Sequence, residues 1–173
     1  MLELCLYGDP VLRKKALPVE HFDDALRSFV EEMVEAMQRE DGVGLAAPQV
    51  GKSVRVVVID TSGGEEDPYV LINPEIVYSS EEKQDYDEGC LSIPGITLTV
   101  NRPETVSVKA QDENGREYLI ENARGLLARA LQHEIDHLNG ILFIDHVSPL
   151  QRSLISGKLK KISRARREQS QKT

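Results

Sequence analysis

His133-Glu134-Ile135-Asp136-His137 is an H-E-x-x-H array, and it lies in a stretch whose apolar residues recur at helical spacing. Histidines four positions apart lie one turn apart on the same face of an α-helix, so both imidazoles can point at one metal ion. Glu134 follows the first histidine closely enough to act on a water at that metal. Two histidines leave a catalytic metal short of a ligand, so another segment must supply a third.

Three helices are predicted around this array. The helix that carries it should run from about Arg124 to Asn139, with Gly140 as its C-terminal stop. An earlier apolar stripe predicts a helix from Asp24 to about Arg39, which Asp23 or Asp24 can cap. Ser148-Pro149 resembles an N-cap followed by proline, and it predicts a third helix in the C-terminal tail.

Strands are predicted in the middle of the chain, with a turn at Asn114-Gly115 that forms a hairpin. They cover Val54 to Ile59, Val70 to Ile72, Glu75 to Tyr78, Thr105 to Ala110 and Glu117 to Ile120. This order predicts an α+β fold, with mixed or antiparallel strands packed around the central H-E-x-x-H helix and helices at both ends. We expect one catalytic domain over residues 1–150 and a basic C-terminal helix or tail over residues 151–173.

The length and composition are ordinary for a single globular domain, with 40% hydrophobic and 29% charged residues. No run approaches the roughly 20 apolar residues of a membrane span, and the first residues lack the features of a signal peptide. Two cysteines, Cys5 and Cys90, do not make a disulfide framework. We therefore expect a cytoplasmic protein, in which Cys90 is free to act as a thiolate ligand.

The formal net charge of −8 hides a strong asymmetry. From Leu150 to the end, eight basic residues face one acid, Glu168, which gives the tail +7 and leaves −15 on the remainder. An acidic body with a basic tail suggests a polyanionic partner for the tail. A solvated terminal helix without a partner explains the same charges.

The surroundings of the array decide between possible third ligands. Phe143 stands where the metzincin pattern places a third histidine, and the only downstream glutamate, Glu168, lies in the basic tail. Asp145 and His146 remain candidates because they follow the helix closely. Upstream, Cys90 is either a small buried apolar residue or a soft ligand, and a Cys-His-His set leaves a fourth position for water.

A glycine-containing segment, Gly42-Val43-Gly44-Leu45-Ala46-Ala47-Pro48-Gln49, forms the third notable feature. Its glycines allow the backbone to approach a ligand, although a plain connector between a helix and a strand would look the same. Gln49 is a neutral donor of the kind that stabilises an oxyanion.

Together, three segments resemble the signature of the peptide deformylase family, G-x-G-x-A-A-x-Q, E-G-C-x-S and H-E-x-x-H in this order. Here they read Gly42 to Gln49, Glu88-Gly89-Cys90-Leu91-Ser92 and His133 to His137, and Gly8 to Arg13 also resembles the family's start. The resemblance runs from about residue 5 to about residue 150. It implies removal of the formyl group from the N-terminal formylmethionine of new polypeptides, with release of formate.

The resemblance also implies roles for individual residues. Cys90, His133 and His137 match the family's metal ligands, and Glu134 matches its general acid/base. Gln49 and the backbone N–H of Leu91 match the oxyanion donors, and Gly44 matches a backbone contact to substrate. The implied cofactor is one Fe²⁺ per chain, which Ni²⁺, Co²⁺ or Zn²⁺ can replace.

The methionine pocket of the family is matched by Val43, Tyr86, Leu126, Arg129 and Ala130. Arg129 is the unusual member, and we expect its stem to line the pocket while its charged head reaches water. Thr97 stands where some family members carry arginine near the substrate path. The resemblance further implies a monomer whose basic C-terminal helix contacts the ribosome.

Two other functions fit the array taken alone. A metallopeptidase that cuts internal peptide bonds would act on unformylated peptides. A metal-binding module without turnover would close the fourth position, for which Asp145 or His146 is available, and would not need Glu134.

Overall fold

Three helices and seven strands make up the described part of the computed structural model, which covers residues 1–172. The helices are α1 (Asp24–Arg39), α2 (Gly125–Leu138) and α3 (Pro149–Lys172). The strands are β1 (Gly44–Ala46), β2 (Val56–Ile59), β3 (Tyr69–Ser79), β4 (Lys83–Cys90), β5 (Ile93–Pro103), β6 (Val106–Gln111) and β7 (Glu117–Ala123). Within residues 1–172, no helix has the length and apolar character needed to span a membrane.

Five strands form one antiparallel sheet in the order β1-β2-β3-β6-β7, and two helices pack on it. Strand β2 is buried throughout and shows why both helices are needed. Val56 and Val58 join the hydrophobic cluster of α1, whereas Val57 and Ile59 join the cluster of α2. Because successive side chains of a strand point to opposite faces, an unbroken valine and isoleucine run requires cover on both sides.

Strands β4 and β5 form a separate antiparallel hairpin that the sequence did not predict. Tyr86 pairs with Val100 and Glu88 with Leu98 in its register. The hairpin turns at Leu91 and Ser92, directly after Cys90, so the end of β4 carries the cysteine toward α2.

The end of α2 is fixed by contacts of its backbone to earlier segments of the chain. The Leu138 carbonyl accepts hydrogen bonds from Ala16 N–H at 2.8 Å and from Arg55 Nη1 at 3.0 Å. Gly140 follows with φ +72°, and a Cβ there would lie 2.6 Å from the Arg13 carbonyl oxygen. Only glycine fits this position, since both the backbone conformation and the space exclude a side chain.

Most predicted elements are confirmed, including the α+β class. Asp23 caps α1 by accepting from Leu26 N–H at 3.0 Å, and α3 starts at Pro149 as expected. The prediction of two separate strands, Val70 to Ile72 and Glu75 to Tyr78, is wrong, because β3 runs through both as one irregular strand. Asn73 adopts φ +51° there and its side chain bonds the Val19 backbone at 2.9 and 3.0 Å. The division between residues 1–150 and 151–173 stays a prediction.

Candidate metal centre and active site

Cys90, His133 and His137 are brought together by the end of β4 and one face of α2. One ligand atom from each lies within 4.8 Å of the others, and no other such group of three occurs within residues 1–172. Cys90 Sγ lies 3.4 Å from His137 Nε2. Bonds of about 2.3 Å to sulfur and 2.1 Å to nitrogen in a tetrahedron would separate these atoms by about 3.6 Å, so the cluster has the size of a metal site.

The orientation of His133 suits a ligand as well. Its Nδ1 hydrogen-bonds Glu88 Oε1 at 2.9 Å, which leaves Nε2 to face the cluster. A metal-binding histidine commonly holds its second nitrogen on a carboxylate in this way, because that bond fixes the tautomer and the ring. Cysteine with two histidines is also a donor set that leaves one position open for water.

Glu134 lies next to the cluster with an unpaired carboxylate oxygen. Its Oε2 is buried and has no hydrogen-bond partner among residues 1–172, and its Oε1 lies 3.9 Å from His133 Nε2. Burial raises the pKa of Glu134 to about 7, since a charged carboxylate is poorly solvated there. A carboxyl group that exchanges a proton near neutral pH is suited to general acid/base work.

Gly44 leaves the room that Glu134 occupies. A Cβ at position 44 would lie 2.9 Å from Glu134 Cγ and 3.0 Å from its Oε1. Any other residue would therefore push the carboxylate out of its place, which gives the second glycine of the Gly42–Gln49 segment a role beyond backbone flexibility.

Gln49 is held with its amide nitrogen toward the cluster. Its Oε1 accepts from Ala46 N–H at 2.9 Å, and its Nε2 lies 3.2 Å from Ser92 Oγ and 3.5 Å from Cys90 Sγ. The side chain is 1% exposed, so the amide cannot exchange these contacts for bulk water. The segment that could have been a plain connector thus forms β1 and a short 3₁₀ turn that present a donor to the site.

A cavity of about 400 Å³ opens beside the cluster. The six residues predicted to bind substrate all line it: Val43, Gly44, Tyr86, Leu126, Arg129 and Ala130. Leu91 lines it too, at the hairpin turn, and its side chain packs against Gly42. Thr97 also contributes to the wall.

Glu88 is the functional residue that sequence reasoning missed, although it stands in a quoted motif. Its carboxylate accepts from Arg102 Nε at 2.8 Å and Nη2 at 3.0 Å, and from Arg129 Nη1 at 2.9 Å, besides the bond to His133. Burial opposes its ionisation, but the hydrogen bonds from His133 and Arg102 prevail and lower its pKa to about 2. One residue thus stands two positions from Cys90 and also holds His133.

The expectation for Arg129 is wrong in one respect. Its side chain lines the cavity, but its guanidinium does not reach water, because the residue is only 6% exposed. The guanidinium instead binds Glu88 and two carbonyl groups, those of Gln84 at 2.7 Å and Val100 at 2.9 Å. A buried guanidinium needs such partners, since an unpaired one would lose its hydration without compensation.

Asp145 and His146 do not join the cluster. Asp145 forms a bidentate ion pair with Arg13, at 2.6 and 3.1 Å. His146 Nε2 lies 2.7 Å from Asp136 Oδ2, which also accepts from Arg102 Nη1 at 2.8 Å. Neither residue therefore closes the fourth position.

An α+β fold with a Cys-His-His cluster and an adjacent buried glutamate defines a metal-dependent hydrolase. Residues 1–153 match the family described as polypeptide deformylase. A peptide deformylase of Brucella suis is 48% identical over 165 residues, covering 94% of both chains. That of Thermotoga maritima is 48% identical over 164 residues, covering 95% of this chain and 98% of the other.

Solved structures agree with the sequence comparisons. A crystal structure of a peptide deformylase from Legionella pneumophila has a TM-score of 0.89 at 47% identity, covering 95% of this chain and 96% of that one. One from Synechococcus elongatus, in complex with actinonin, has a TM-score of 0.84 at 45% identity, covering 93% and 85%. The chain belongs to the polypeptide deformylase family.

The predicted activity is thereby confirmed. The protein is a metal-dependent hydrolase that removes the formyl group from the N-terminal formylmethionine of newly synthesised proteins and releases formate. Its substrates are formylated nascent peptides.

Proposed function

We propose that Cys90, His133 and His137 hold one Fe²⁺ ion per chain and that Glu134 is the general acid/base of deformylation. The observation that carries this proposal is the three-residue cluster with the unpaired Oε2 of Glu134 beside it. When bound, the metal lowers the pKa of water and polarises the formyl carbonyl. Thiolate and imidazole donors suit iron, and they also suit the substitutes Ni²⁺, Co²⁺ and Zn²⁺.

The protein groups move one proton in each half of the reaction. Glu134 accepts a proton from the attacking water, whose oxygen bonds to the formyl carbon. Gln49 Nε2 and the Leu91 N–H donate hydrogen bonds to the oxygen that becomes negative as the carbonyl opens. Glu134 then gives its proton to the amide nitrogen, the C–N bond breaks, and formate and a free amino group leave.

The cavity walls orient the substrate for this attack. Val43, Tyr86, Leu126, Arg129 and Ala130 surround the methionine side chain, and the backbone of Gly44 contacts the peptide. Support comes from their common position in the 400 Å³ cavity beside the cluster. Once the methionine side chain of the substrate is buried in this cavity, the formyl carbon is held near the attacking water, which lowers the entropic cost of the reaction.

The test is formate release from a formyl-Met peptide by protein purified without oxygen, with the bound metal quantified. We expect about one metal ion per chain, activity that falls in air with Fe²⁺ and stays with Ni²⁺, and none on an acetyl-Met peptide. Cleavage of internal bonds in an unformylated peptide would contradict the proposal. Equal activity without bound metal would contradict it as well.

We also propose that residues 1–150 form the catalytic domain and that the helical tail beyond them contacts the ribosome. Ile155 and Leu159 anchor one face of α3 in the core, while the basic side chains of Lys158, Lys160 and Lys161 are exposed. Exposed cations on one rigid helix suit rRNA phosphates, with affinity that falls as salt rises. Arg166 is partly used within the chain, since it lies 3.3 Å from Asp9.

This tail proposal is tested by replacing Lys158, Lys160 and Lys161 with glutamine, because deleting α3 would remove core residues. Cosedimentation with ribosomes at low salt should weaken, while formate release from a free peptide should not change. Unchanged cosedimentation would contradict the ribosome contact and favour a solvated terminal helix without a partner. We propose that the enzyme is a monomer in the cytoplasm; light scattering on the purified chain tests the oligomeric state, and cell fractionation tests the location.

A further inference from the structure

Arg129 lines the cavity with its side chain and also belongs to the buried ion-pair network around Glu88. It lies on α2 one turn before His133, so both side chains leave the helix on the same face. Its side chain lines the cavity, yet its guanidinium is inside the protein and the whole residue is 6% exposed. A cavity wall made by a buried charge is unusual, because apolar residues form such walls at lower desolvation cost.

Every polar contact of this guanidinium reaches the β4–β5 hairpin. Nη2 donates to the Gln84 carbonyl at 2.7 Å, and Nη1 donates at 2.9 Å to both Glu88 Oε2 and the Val100 carbonyl. Its Cζ also lies 5.4 Å from the centre of the Tyr86 ring. The side chains of Tyr86 and Glu88 lie on one face of β4, and the Gln84 and Val100 carbonyls belong to the main chain of β4 and β5, so Arg129 fastens the hairpin to α2. A lysine cannot make these bonds together, since it lacks the planar fork.

The same contacts lead to the metal cluster in two steps. Glu88 accepts Arg129 on Oε2 and His133 Nδ1 on Oε1, and each bond is 2.9 Å long. A carboxylate is rigid, so a shift of the guanidinium turns the carboxylate and with it the bond that orients the imidazole. Arg102 holds the carboxylate from another direction, which limits that turn but leaves Glu88 paired if Arg129 is removed.

We infer that Arg129 is a positioning residue that couples occupancy of the side-chain pocket to the orientation of His133. This inference rests on the proposed roles of His133 as a metal ligand and of the cavity as the methionine pocket. A methionine side chain packed on Arg129 then pushes the guanidinium toward Glu88, which fixes the orientation of the His133 imidazole. Binding energy from the side chain is thus expressed in kcat as well as in KM.

Three variants distinguish a positioning role of Arg129 from a role as part of the cavity wall alone. Arg129→Met keeps an unbranched side chain but removes every bond to the hairpin, and Arg129→Lys keeps the charge. Leu126→Ala is the matched control, because Leu126 is another cavity residue on α2 and it carries no polar group to bond Glu88. Each is loaded with Co²⁺, whose visible spectrum reports ligand geometry, and assayed on formyl-Met and formyl-Gly peptides.

We expect Arg129→Met to lower kcat on the formyl-Met peptide by about 10-fold to 100-fold, the usual cost of losing a group that supports a metal ligand. Its Co²⁺ spectrum should change, its metal should leave faster in chelator, and its kcat should no longer differ between the two peptides. Arg129→Lys should recover part of each effect. Leu126→Ala should raise KM for the formyl-Met peptide with an unchanged Co²⁺ spectrum.

An Arg129→Met enzyme with a changed KM but the parent kcat and Co²⁺ spectrum would make Arg129 a wall only and would overturn the inference. A lower melting temperature with no change in kcat, spectrum or metal loss would overturn it in favour of a structural role. A parent enzyme that releases no formate contradicts the proposed function instead, and the Co²⁺ spectrum of Arg129→Met still decides the positioning role.

Discussion

The metal-ligand cluster and the charged network beside it treat buried polar groups in opposite ways. His137 Nδ1 in the cluster and Glu134 Oε2 next to it are buried without a hydrogen-bond partner among residues 1–172. In the network, Glu88 alone accepts from three side chains, those of Arg102, Arg129 and His133. Unpaired groups lower stability and are kept where a ligand or proton arrives, whereas paired charges hold the frame.

The largest effect should follow from removing the only cluster member outside α2. Cys90→Ala leaves two imidazoles, which cannot hold a catalytic ion against dialysis, so metal content and formate release should both fall to near zero. Metal analysis after dialysis measures this. Cys5→Ala is the control, because Cys5 is a half-buried thiol outside the cluster. Burial and Asp9 raise its pKa to about 11, so the thiol stays protonated near neutral pH. Retention of a full metal equivalent by Cys90→Ala would refute the ligand assignment.

Glu134→Gln tests the unpaired carboxylate without changing its shape. Loss of a general acid/base should lower kcat by about 10²-fold to 10⁴-fold, with metal content unchanged. The free energy of unfolding of the metal-free protein should stay the same or rise, because the variant removes an ionisable group that burial disfavours. Urea unfolding and metal analysis check both. A large loss of stability would mean that the Glu134 carboxylate stabilises the fold instead of being kept for catalysis.

Glu88→Gln tests the opposite case, a group whose importance lies in its pairing. The folded-state pKa of Glu88 is lowered from 4.5 to about 2, so its charge stabilises the fold above pH 4.5 and that contribution disappears as pH falls toward 2. A shift of this size corresponds to about 3 kcal/mol. Formate release should also fall by about 10-fold to 100-fold, because His133 loses its ionised partner.

Urea unfolding of metal-free parent and Glu88→Gln from pH 6 to pH 2 measures this contribution. The gap in unfolding free energy should be largest at pH 6 and close as the parent protonates. A gap that is constant with pH would show that packing at position 88, and not its charge, is what matters.

Gly44→Ala should have the smallest effect of the four. The added Cβ meets Glu134 at 2.9 to 3.1 Å, so the carboxylate must shift by a few tenths of an ångström. We expect kcat to fall by about 10-fold with metal retained, because displaced catalytic groups lose alignment. Gly157→Ala is the control, since a Cβ there meets nothing within 4 Å and should slightly stabilise α3. Equal kcat in both variants would show that Glu134 tolerates displacement.

Local patterns predicted the elements that are held by local contacts. The apolar stripe and cap of α1, the Asn114-Gly115 turn and the Ser148-Pro149 start of α3 all carry their own signals, and each is confirmed. The β4–β5 hairpin was missed for a physical reason. Lys83–Cys90 is exposed along most of its length, so its residues show no alternation, and its pairing depends on β5 and α2.

The same limit applies to the site. The three motifs named the residues that the fold brings together around the cavity, because each motif is short and chemically distinctive. The role of Glu88 could not be read from its motif, since its partners Arg102 and Arg129 are distant in sequence and arginines are usually exposed. The available signal was Arg129 itself, a charge on the apolar face of α2 one turn before His133. Its buried guanidinium required an equally buried carboxylate.

The backbone contact at Gly140 has a consequence for the precision of the site. The end of α2 rests directly on the Arg13 carbonyl, with no side chain between the two backbones. When a side chain lies between two segments, the distance between them can change with its rotamer, whereas two backbones in direct contact keep a fixed distance. His137 lies three residues before Gly140, so this contact between two backbones limits how far its imidazole can move along the helix axis.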